Sequence, residues 1–559
     1  MPIFHFRTPP PDAHAQPLAT QKTAAAWFRQ LPTGDAIGRQ QIVVRTIEAA
    51  CRSGSVLEFE QVAAIEFLDA ELAADRGRLI TQYVEHAEDS VALANRIWQA
   101  AYEICQGFIV AYRSLLDRAL AAGGDGRWKQ ALPRLAARLI HFYGTDAKLR
   151  VLKNEPWIPA KWVELHRLYQ RAVELRIERA PLGPDPGGTG AARPTVEQEY
   201  LGVLLTHLLN TGTLVPREID WVAAQLRAWA AGLKLDEVPR VPNGFVVDLG
   251  GRWGLTRRAR GDSGALLRYL DTEPLTAQLD RGIAALRRQV AAGESAGSAT
   301  RDRIAVLVRL RSAVSPDAPP AVPRDQRTAV SLAAQLRTGL AQICHELAPG
   351  DMHDSALEIA AGPEVSAGGG DEARRLRRSI AAFTGAPSGE ALWRVENRSR
   401  TGVRIVATAG QGQSLALGML VAIHEAGEGD WVLGVVRRLT RPTTDRVEAG
   451  VSIIASRVIA VALHAKRQAR EDMGFIVDGV DVSTIGERFD GLYLPPPSRP
   501  DRPLAAKTLV IPTSEYGAGR NIILITTRTV YTVALREPLE RHPDWTWAAI
   551  DIVNRTARD

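Results

Sequence analysis

The sequence predicts a multidomain α+β protein with an all-α N-terminal half and a C-terminal half built from β-strands. At 559 residues, the chain is too long for a single hydrophobic core. Apolar residues recur at helical spacing over 23–179 and over most of 195–349. After the glycine-rich stretch 362–370 the apolar period changes from 3.6 to 2, which is typical of strands.

Breaks in composition predict the domain boundaries. In chain order we expect a disordered or loosely docked start (1–22), a helical bundle (23–179), a linker (180–194), a second mostly helical domain (195–349), a Gly-rich linker (350–370), a β-barrel (371–470) and a small β-rich domain (471–559). We also expect a β-like insert at 244–249 and helices at 328–347 and 458–471.

Short runs of alternating apolar residues predict the strands of the C-terminal half. The barrel candidates are 392–395, 403–407, 419–423, 431–438 and 447–454, and five or six such strands are enough for a small barrel. The last segment has candidates at 508–511, 522–527, 529–535 and 545–553. These predict a further small barrel or sandwich.

Composition indicates a soluble cytoplasmic protein. Hydrophobic content is 45% and charged content 24%, both ordinary for globular proteins. No apolar run of about 20 residues is present, and the N-terminus does not resemble a secretory signal. The cysteines (Cys51, Cys105 and Cys344) are far apart, as expected of reduced thiols. The net charge of +6 is mild, and acidic residues are interleaved with the basic ones, which argues against sequence-independent nucleic-acid binding. We also expect no specific nucleic-acid partner.

Two short motifs invite an enzymatic interpretation, and neither is complete. Gly369-Gly-Asp-Glu372 resembles a diguanylate cyclase signature, but Ala373 stands where that signature has phenylalanine. Glu390-Ala-Leu392 resembles the opening of cyclic-di-GMP phosphodiesterases, without the later metal-binding carboxylates. No P-loop, His-Glu-x-x-His or Rossmann fingerprint is present. We therefore expect no enzyme, no metal site and no cofactor.

One constellation carries most of the chemistry. Arg374 and Arg378 form an Arg-x-x-x-Arg pair, and nineteen residues after Arg378 the segment Asn397-x-Ser399-x-x-Gly402 follows at the end of a strand candidate. Arginine forks bind guanine O6 and N7 in a bidentate way, worth about 1–3 kcal/mol each, and also stack on bases. Asn397 can meet a guanine edge, Ser399 can bond phosphate or pin the turn, and glycine permits close approach.

This constellation resembles the PilZ domain, a bacterial receptor for cyclic di-GMP, over roughly 371–466. The resemblance implies a six-stranded antiparallel β-barrel with cyclic di-GMP as ligand. It assigns ligand binding to Arg374, Arg378, Asn397, Ser399 and Gly402. Possible supporting residues are Arg375, Arg398, Arg400 and Arg437.

The prediction is a cytoplasmic cyclic-di-GMP effector whose helical N-terminal half binds an unidentified protein partner and controls motility, adhesion, polysaccharide or virulence. Three alternatives stay open. In the first, the protein is a ligand-independent scaffold or adaptor with a degenerate barrel. In the second, it binds RNA or single-stranded DNA through its arginines. In the third, the two elements are an exposed basic helix and a plain hairpin turn.

Overall fold

The computed structural model divides into two compact units, Met1–Pro320 and Ala321–Asp559. The structure describes residues 17–52, 57–87, 90–123, 125–182, 193–209, 211–241, 244–258, 264–292, 298–315, 327–347, 393–408, 415–425, 430–443, 446–466, 476–477, 480–481, 485–496, 498, 504–525 and 529–557. Among these, no helix is both long and apolar enough to cross a membrane.

The first unit is mainly helical. Its helices are α1 (Gln21–Phe28), α2 (Ala36–Arg52), α3 (Phe59–His86), α4 (Val91–Ala121), α5 (Gly126–Leu152), α6 (Pro159–Glu174), α7 (Val196–Leu208), α8 (Pro216–Ala230), α9 (Glu273–Ala291) and α10 (Ser298–Val314). A small sheet has the order β1-β4-β2-β3. Its strands are β1 (Leu235–Asp236), β2 (Phe245–Asp248), β3 (Thr256–Arg257) and β4 (Leu267–Leu270).

Capping explains where α7 begins. Thr195 accepts a hydrogen bond from the backbone of Gln198, whose side chain accepts one from the Thr195 backbone. This reciprocal capping box satisfies two backbone donors that the first helical turn leaves unpaired. The helix therefore starts where the Pro- and Gly-rich stretch ends.

A buried ion cluster stands inside the helical unit. The Asp69 carboxylate, 2% exposed, accepts hydrogen bonds from the Tyr112 hydroxyl at 2.6 Å and from Arg138 Nε at 2.9 Å, and it also pairs with Arg76. Burial alone would raise the pKa of Asp69, but Arg138, Arg76 and Tyr112 lower it to about 2. The buried Asp69 carboxylate is therefore compensated by two arginines and a tyrosine hydroxyl.

The second unit contains two closed six-stranded barrels. The first has the order β10-β7-β6-β5-β8-β9, from β5 (Thr328–Thr338), β6 (Trp393–Ser399), β7 (Gly402–Thr408), β8 (Leu420–Glu425), β9 (Val432–Thr443) and β10 (Arg446–Ala455). The second has the order β11-β14-β15-β18-β17-β16, from β11 (Ile459–Lys466), β14 (Ile485–Leu494), β15 (Thr508–Pro512), β16 (Asn521–Ile525), β17 (Thr529–Arg541) and β18 (Trp545–Ala557). A two-stranded ribbon, β12 (Ile476–Val477) and β13 (Val480–Asp481), and helix α11 (Leu340–Leu347) complete the unit. The predicted α+β fold class is confirmed.

Two predicted helices are wrong in whole or in part. Residues 328–338 form strand β5, and only 340–347 are helical. Within 458–471, residues 459–466 form strand β11, and the rest of the predicted helix after 466 lies outside the described residues. Alanine and leucine in both segments favour helix, but Val330, Leu332, Ala334 and Leu336 alternate into the first barrel core. Sheet pairing therefore outweighs local propensity.

The position of β5 changes how the Gly-rich segment is understood. The composition of 350–370 predicts a linker between domains. In the structure, β5 precedes that segment and pairs with β6, which follows it. The segment is thus a connection inside one barrel, between its first and second strands. Residues 350–370 themselves lie outside the described residues. The other predicted boundaries stay predictions.

Both barrels have the same connectivity. Numbered in chain order within each barrel, the first strand pairs with the second and fourth, the third with the second and sixth, and the fifth with the fourth and sixth. Each barrel closes on its own, and all six strand pairings are the same in both. The C-terminal unit is therefore a tandem repeat of one fold.

The two barrels share an apolar interface. Alternation puts Tyr493 in the core of the second barrel and its neighbours Leu492 and Leu494 on the outside. These outward residues join one buried cluster with side chains of the first barrel and of α11. The cluster includes Leu340, Ile343, Leu420, Leu433, Val435, Ile454, Val510, Trp545 and Trp547. The repeat is therefore packed as a single body of two barrels.

Candidate functional site

The structure shows the turn element of the predicted constellation but not its arginine element. Arg374, Arg375 and Arg378 lie outside the described residues. The turn element, with Asn397, Ser399 and Gly402, lies at the hairpin joining β6 to β7. The predicted supporting residues Arg398 and Arg400 lie in the same hairpin, and Arg437 lies on β9.

Local contacts explain why the turn needs these residue types. The Ser399 hydroxyl donates to the carbonyl oxygen of Gly402 at 3.1 Å and so closes the hairpin on itself. The Ile453 amide donates to the carbonyl of Thr401 at 3.0 Å, which fixes the turn to β10. A Cβ on Gly402 would lie 2.8 Å from the carbonyl oxygen of Val451. Glycine is therefore required for close backbone approach.

A registered row of residues crosses the outer face of the first barrel beside this turn. Asn397 on β6 pairs with Arg404 on β7, Arg404 with Gly450 on β10, and Gly450 with Arg438 on β9. We call these four residues the ligand row. Adjacent strands lie about 4.8 Å apart, so the row spans about 14 Å. Within the described part of the chain, the Asn397 amide makes no side-chain hydrogen bond and Arg438 no ion pair.

Charges on this face are partly neutralised. Arg404 bonds Glu448 at 2.5 Å and approaches Glu396 at 3.6 Å. Arg446 bonds Glu396 at 2.9 Å and Glu448 at 2.8 Å, and Arg394 bonds Glu396 at 3.1 Å. Arg394, Arg404, Arg446 and the ligand-row residue Arg438 supply four guanidinium groups against the carboxylates of Glu396 and Glu448, so these six described residues together carry two positive charges. A dinucleotide with two phosphates would balance them.

Two of the supporting arginines make internal ion pairs. Arg398 donates to Glu425 on β8 at 3.1 Å, and the Glu425 side chain is 5% exposed. Arg437 reaches the second barrel, where its Nη2 donates to Glu540 at 2.6 Å. Arg400 is exposed at the tip of the hairpin. The roles of these arginines in ligand binding stay predictions.

The corresponding face of the second barrel is packed against the first barrel. Its registered row across the same four strands is Leu492, Val510, Trp547 and Glu540. Leu492 stands two residues before the end of β14, as Asn397 stands two before the end of β6. The first three members are buried in the interface between the barrels. A nucleotide therefore has no access to this face of the second barrel.

The hairpin turn also differs between the repeats. In the first barrel, two residues join the second strand to the third. In the second barrel, the connection between Leu494 and Thr508 contains Pro495-Pro-Pro497. The sequence Asp481-Val-Ser-Thr-Ile-Gly486 matches the turn pattern, but it lies before and at the start of β14 rather than after it. Only the first barrel therefore carries the turn element at the hairpin.

The helical unit contains a cleft of about 420 Å³ lined by Arg179, Arg240 and Arg268. All three arginines have partners. Arg179 bonds both oxygens of the buried Glu197, at 2.7 and 2.9 Å, and the other two face Asp236 and Glu237. This cleft is charged but internally balanced. Among the described residues, no group of three His, Cys, Asp or Glu side chains is suited to a metal ion.

Comparison with known families points to the class of receptor that the barrel motif indicates. Residues 22–240 match the family described as the N-terminal domain of the cyclic-di-GMP receptor FimW. The match covers α1 to α8 and β1 in the helical unit. The predicted resemblance to a cyclic-di-GMP receptor family is thus confirmed from a part of the chain outside the barrels. The match does not concern PilZ barrels. A search of curated proteins found no match.

The ligand row contains three residues that are not among the site residues predicted from the sequence. Arg404 lies opposite Asn397 in the β6–β7 hairpin. Gly450 and Arg438 join the row only because β10 pairs with β7, which places Gly450 opposite Arg404 across 46 residues of sequence. A signal was present in the sequence, since Gly434-Val-Val-Arg437-Arg438 and Gly450-Val-Ser-Ile453 fit the strand pattern of the resembled family. Their order in the sheet was needed to place them on one face.

Proposed function

We propose that this protein is a cyclic-di-GMP-binding effector whose receptor site is the PilZ-like first barrel. The observation that carries the proposal is the ligand row beside the Ser399–Gly402 turn. The row offers an amide at one end, a guanidinium at the other and a residue without a side chain between them. Family similarity of the helical unit to the N-terminal domain of a cyclic-di-GMP receptor supports the same ligand independently.

The chemistry of the row suits this ligand. Each guanine presents O6 and N7 as acceptors, which an arginine fork can bond together. Asn397 offers both a donor and an acceptor to a guanine edge. Two or three such contacts give micromolar binding, near −8 kcal/mol. Arg374 and Arg378 would complete the site from the connection between the first and second strands of the barrel.

The output is assigned to the helical unit. Ligand binding at the barrel changes how that unit engages a protein partner in the cytoplasm, in a pathway controlling motility, adhesion, polysaccharide or virulence. Such coupling requires that the ligand bind two states of the protein with different affinities. The protein performs no chemical reaction on the nucleotide in this proposal.

Isothermal titration of the full chain with cyclic di-GMP tests the proposal. We expect micromolar binding, and about ten- to a hundredfold weaker binding by Arg374→Ala and by Arg378→Ala. Heat no greater than that of the Arg378→Ala variant would exclude the receptor function. That result, with a protein partner captured equally with and without nucleotide, would favour the ligand-independent scaffold.

A further inference from the structure

A bulge in β9 directs two consecutive arginines to different targets. Arg438 pairs with Gly450 and Val436 with Val451, so Arg437 is an extra residue without a partner in β10. Val436 and the next inward residue, Leu439, are both buried in the barrel core. Arg437 and Arg438 therefore both face outward, as bulges permit by re-aiming side chains.

Arg437 is held by the second barrel. Both of its terminal nitrogens bond the Glu540 carboxylate, Nη2 to Oε2 at 2.6 Å and Nη1 to Oε1. The same carboxylate contacts His542 Nε2 at 2.6 Å, and the His542 ring stacks on Trp545 at 4.4 Å between ring centres. A bidentate arginine–carboxylate pair fixes both distance and orientation. The clasp formed by Arg437, Glu540 and His542 therefore holds the bulge in one conformation.

The first barrel is shaped to receive this clasp. Gly418 has a φ of +80°, in the left-handed region that favours glycine, and an added Cβ would clash with the His542 ring. The indole nitrogen of Trp545 donates to the Gly418 carbonyl at 3.1 Å. Gly418 lies in the loop before β8, so the second barrel contacts the first through this loop as well as through Arg437 of β9.

Arg438 remains on the ligand row. Its neighbour Gly450 places no side chain between Arg438 and Arg404. Arg404 is bonded to a carboxylate, whereas Arg438 takes part in no ion pair in the described part of the chain. Arg438 is exposed, and it lies at the end of the row opposite Asn397. An anionic guanine dinucleotide across the row would meet this guanidinium.

We propose that Arg438 is a further ligand-binding residue of the cyclic-di-GMP site, and that Glu540 of the second barrel is its positioning residue, acting through Arg437. This inference rests on the proposed function of the first barrel. The inference also assigns a role to the second barrel. Its own row is buried in the interface between the barrels, and its Glu540 holds the β9 bulge that places Arg438 at the site of the first barrel.

Titration calorimetry of the full chain with cyclic di-GMP tests both parts. We expect Arg438→Ala to weaken binding about ten- to a hundredfold. Arg488→Ala is the matched control, because it also removes one exposed positive charge, from β14 of the second barrel. It should bind as the unmodified protein does. Equal losses in the two variants would mean that Arg438 acts only through net charge and would overturn the assignment.

A double-mutant cycle tests the role of Glu540. Glu540→Gln should weaken binding in the unmodified protein but have no further effect in the Arg438→Ala background, since it acts through that residue. Additive losses would overturn the positioning role. If the unmodified protein binds and Arg438→Ala binds equally well, this inference fails and the proposed function stands. If the unmodified protein does not bind, both fail.

Discussion

Replacing Gly402 with alanine is the sharpest test of the turn. The added Cβ would lie 2.8 Å from the Val451 carbonyl oxygen, and ordinary contacts begin at 3.4 Å. The backbones of β7 and β10 must therefore move apart by about half an ångström at this point, although the two strands are paired along seven residues. Overpacking of this kind costs about 1–3 kcal/mol of folding free energy. The movement would also strain the Ser399 hydroxyl bond that closes the hairpin.

Two measurements separate the consequences. Urea unfolding should show the barrel unit of Gly402→Ala destabilised by about 1–3 kcal/mol, and calorimetry should show weaker cyclic-di-GMP binding. Gly77→Ala in α3 is the control, since nothing lies within 4 Å of its added Cβ. That helical position should gain about 0.5–1 kcal/mol. Unchanged stability of Gly402→Ala would refute the close-approach argument, and unchanged affinity in a destabilised variant would remove the turn from the site.

Two further predictions concern buried charges. Asp69→Asn leaves Arg138 and Arg76 without their counter-charge, and urea unfolding followed by helical circular dichroism should show a loss of about 3–5 kcal/mol; a loss below about 1 kcal/mol would contradict the cluster's role. For Glu540, burial alone would raise the pKa, but His542 and Arg437 lower it from 4.5 to about 2. Its stabilisation is thus complete above about pH 4.5 and is lost as pH falls towards 2, by about 3 kcal/mol in full. The difference in thermal midpoint between the unmodified protein and Glu540→Gln should shrink from pH 6 to pH 3, and a constant difference would be incompatible with this.

Local patterns predict the helical unit well. Helical spacing of apolar residues and caps such as Thr195 act within a few residues, so they are visible in the sequence. The same local logic fails at β5 and β11. Their alanines favour helix, and the strands form because distant partners complete a closed sheet. The first strand of each barrel is therefore the element that local propensity predicts worst.

The repeat itself could not be predicted from the motif. The second barrel lacks the turn element at its hairpin, and its row is apolar because it packs against the first barrel. Its likeness to the first lies in strand pairing, which depends on contacts over long sequence separations. The Arg437–Glu540 pair, 103 residues apart, is of the same kind. Within the site, the turn residues were predictable, whereas Arg404, Gly450 and Arg438 required the order of strands in the sheet.

Amide hydrogen exchange with and without cyclic di-GMP tests most directly that the nucleotide binds on the outer face of the first barrel. We predict slower exchange on ligand addition in the turn element and along the ligand row, over 397–404, 434–438 and 448–452. The buried counterpart in the second barrel, over 490–494 and 508–512, should not change. Protection confined to the second barrel, or to the cleft around Arg179 in the helical unit, would contradict this account.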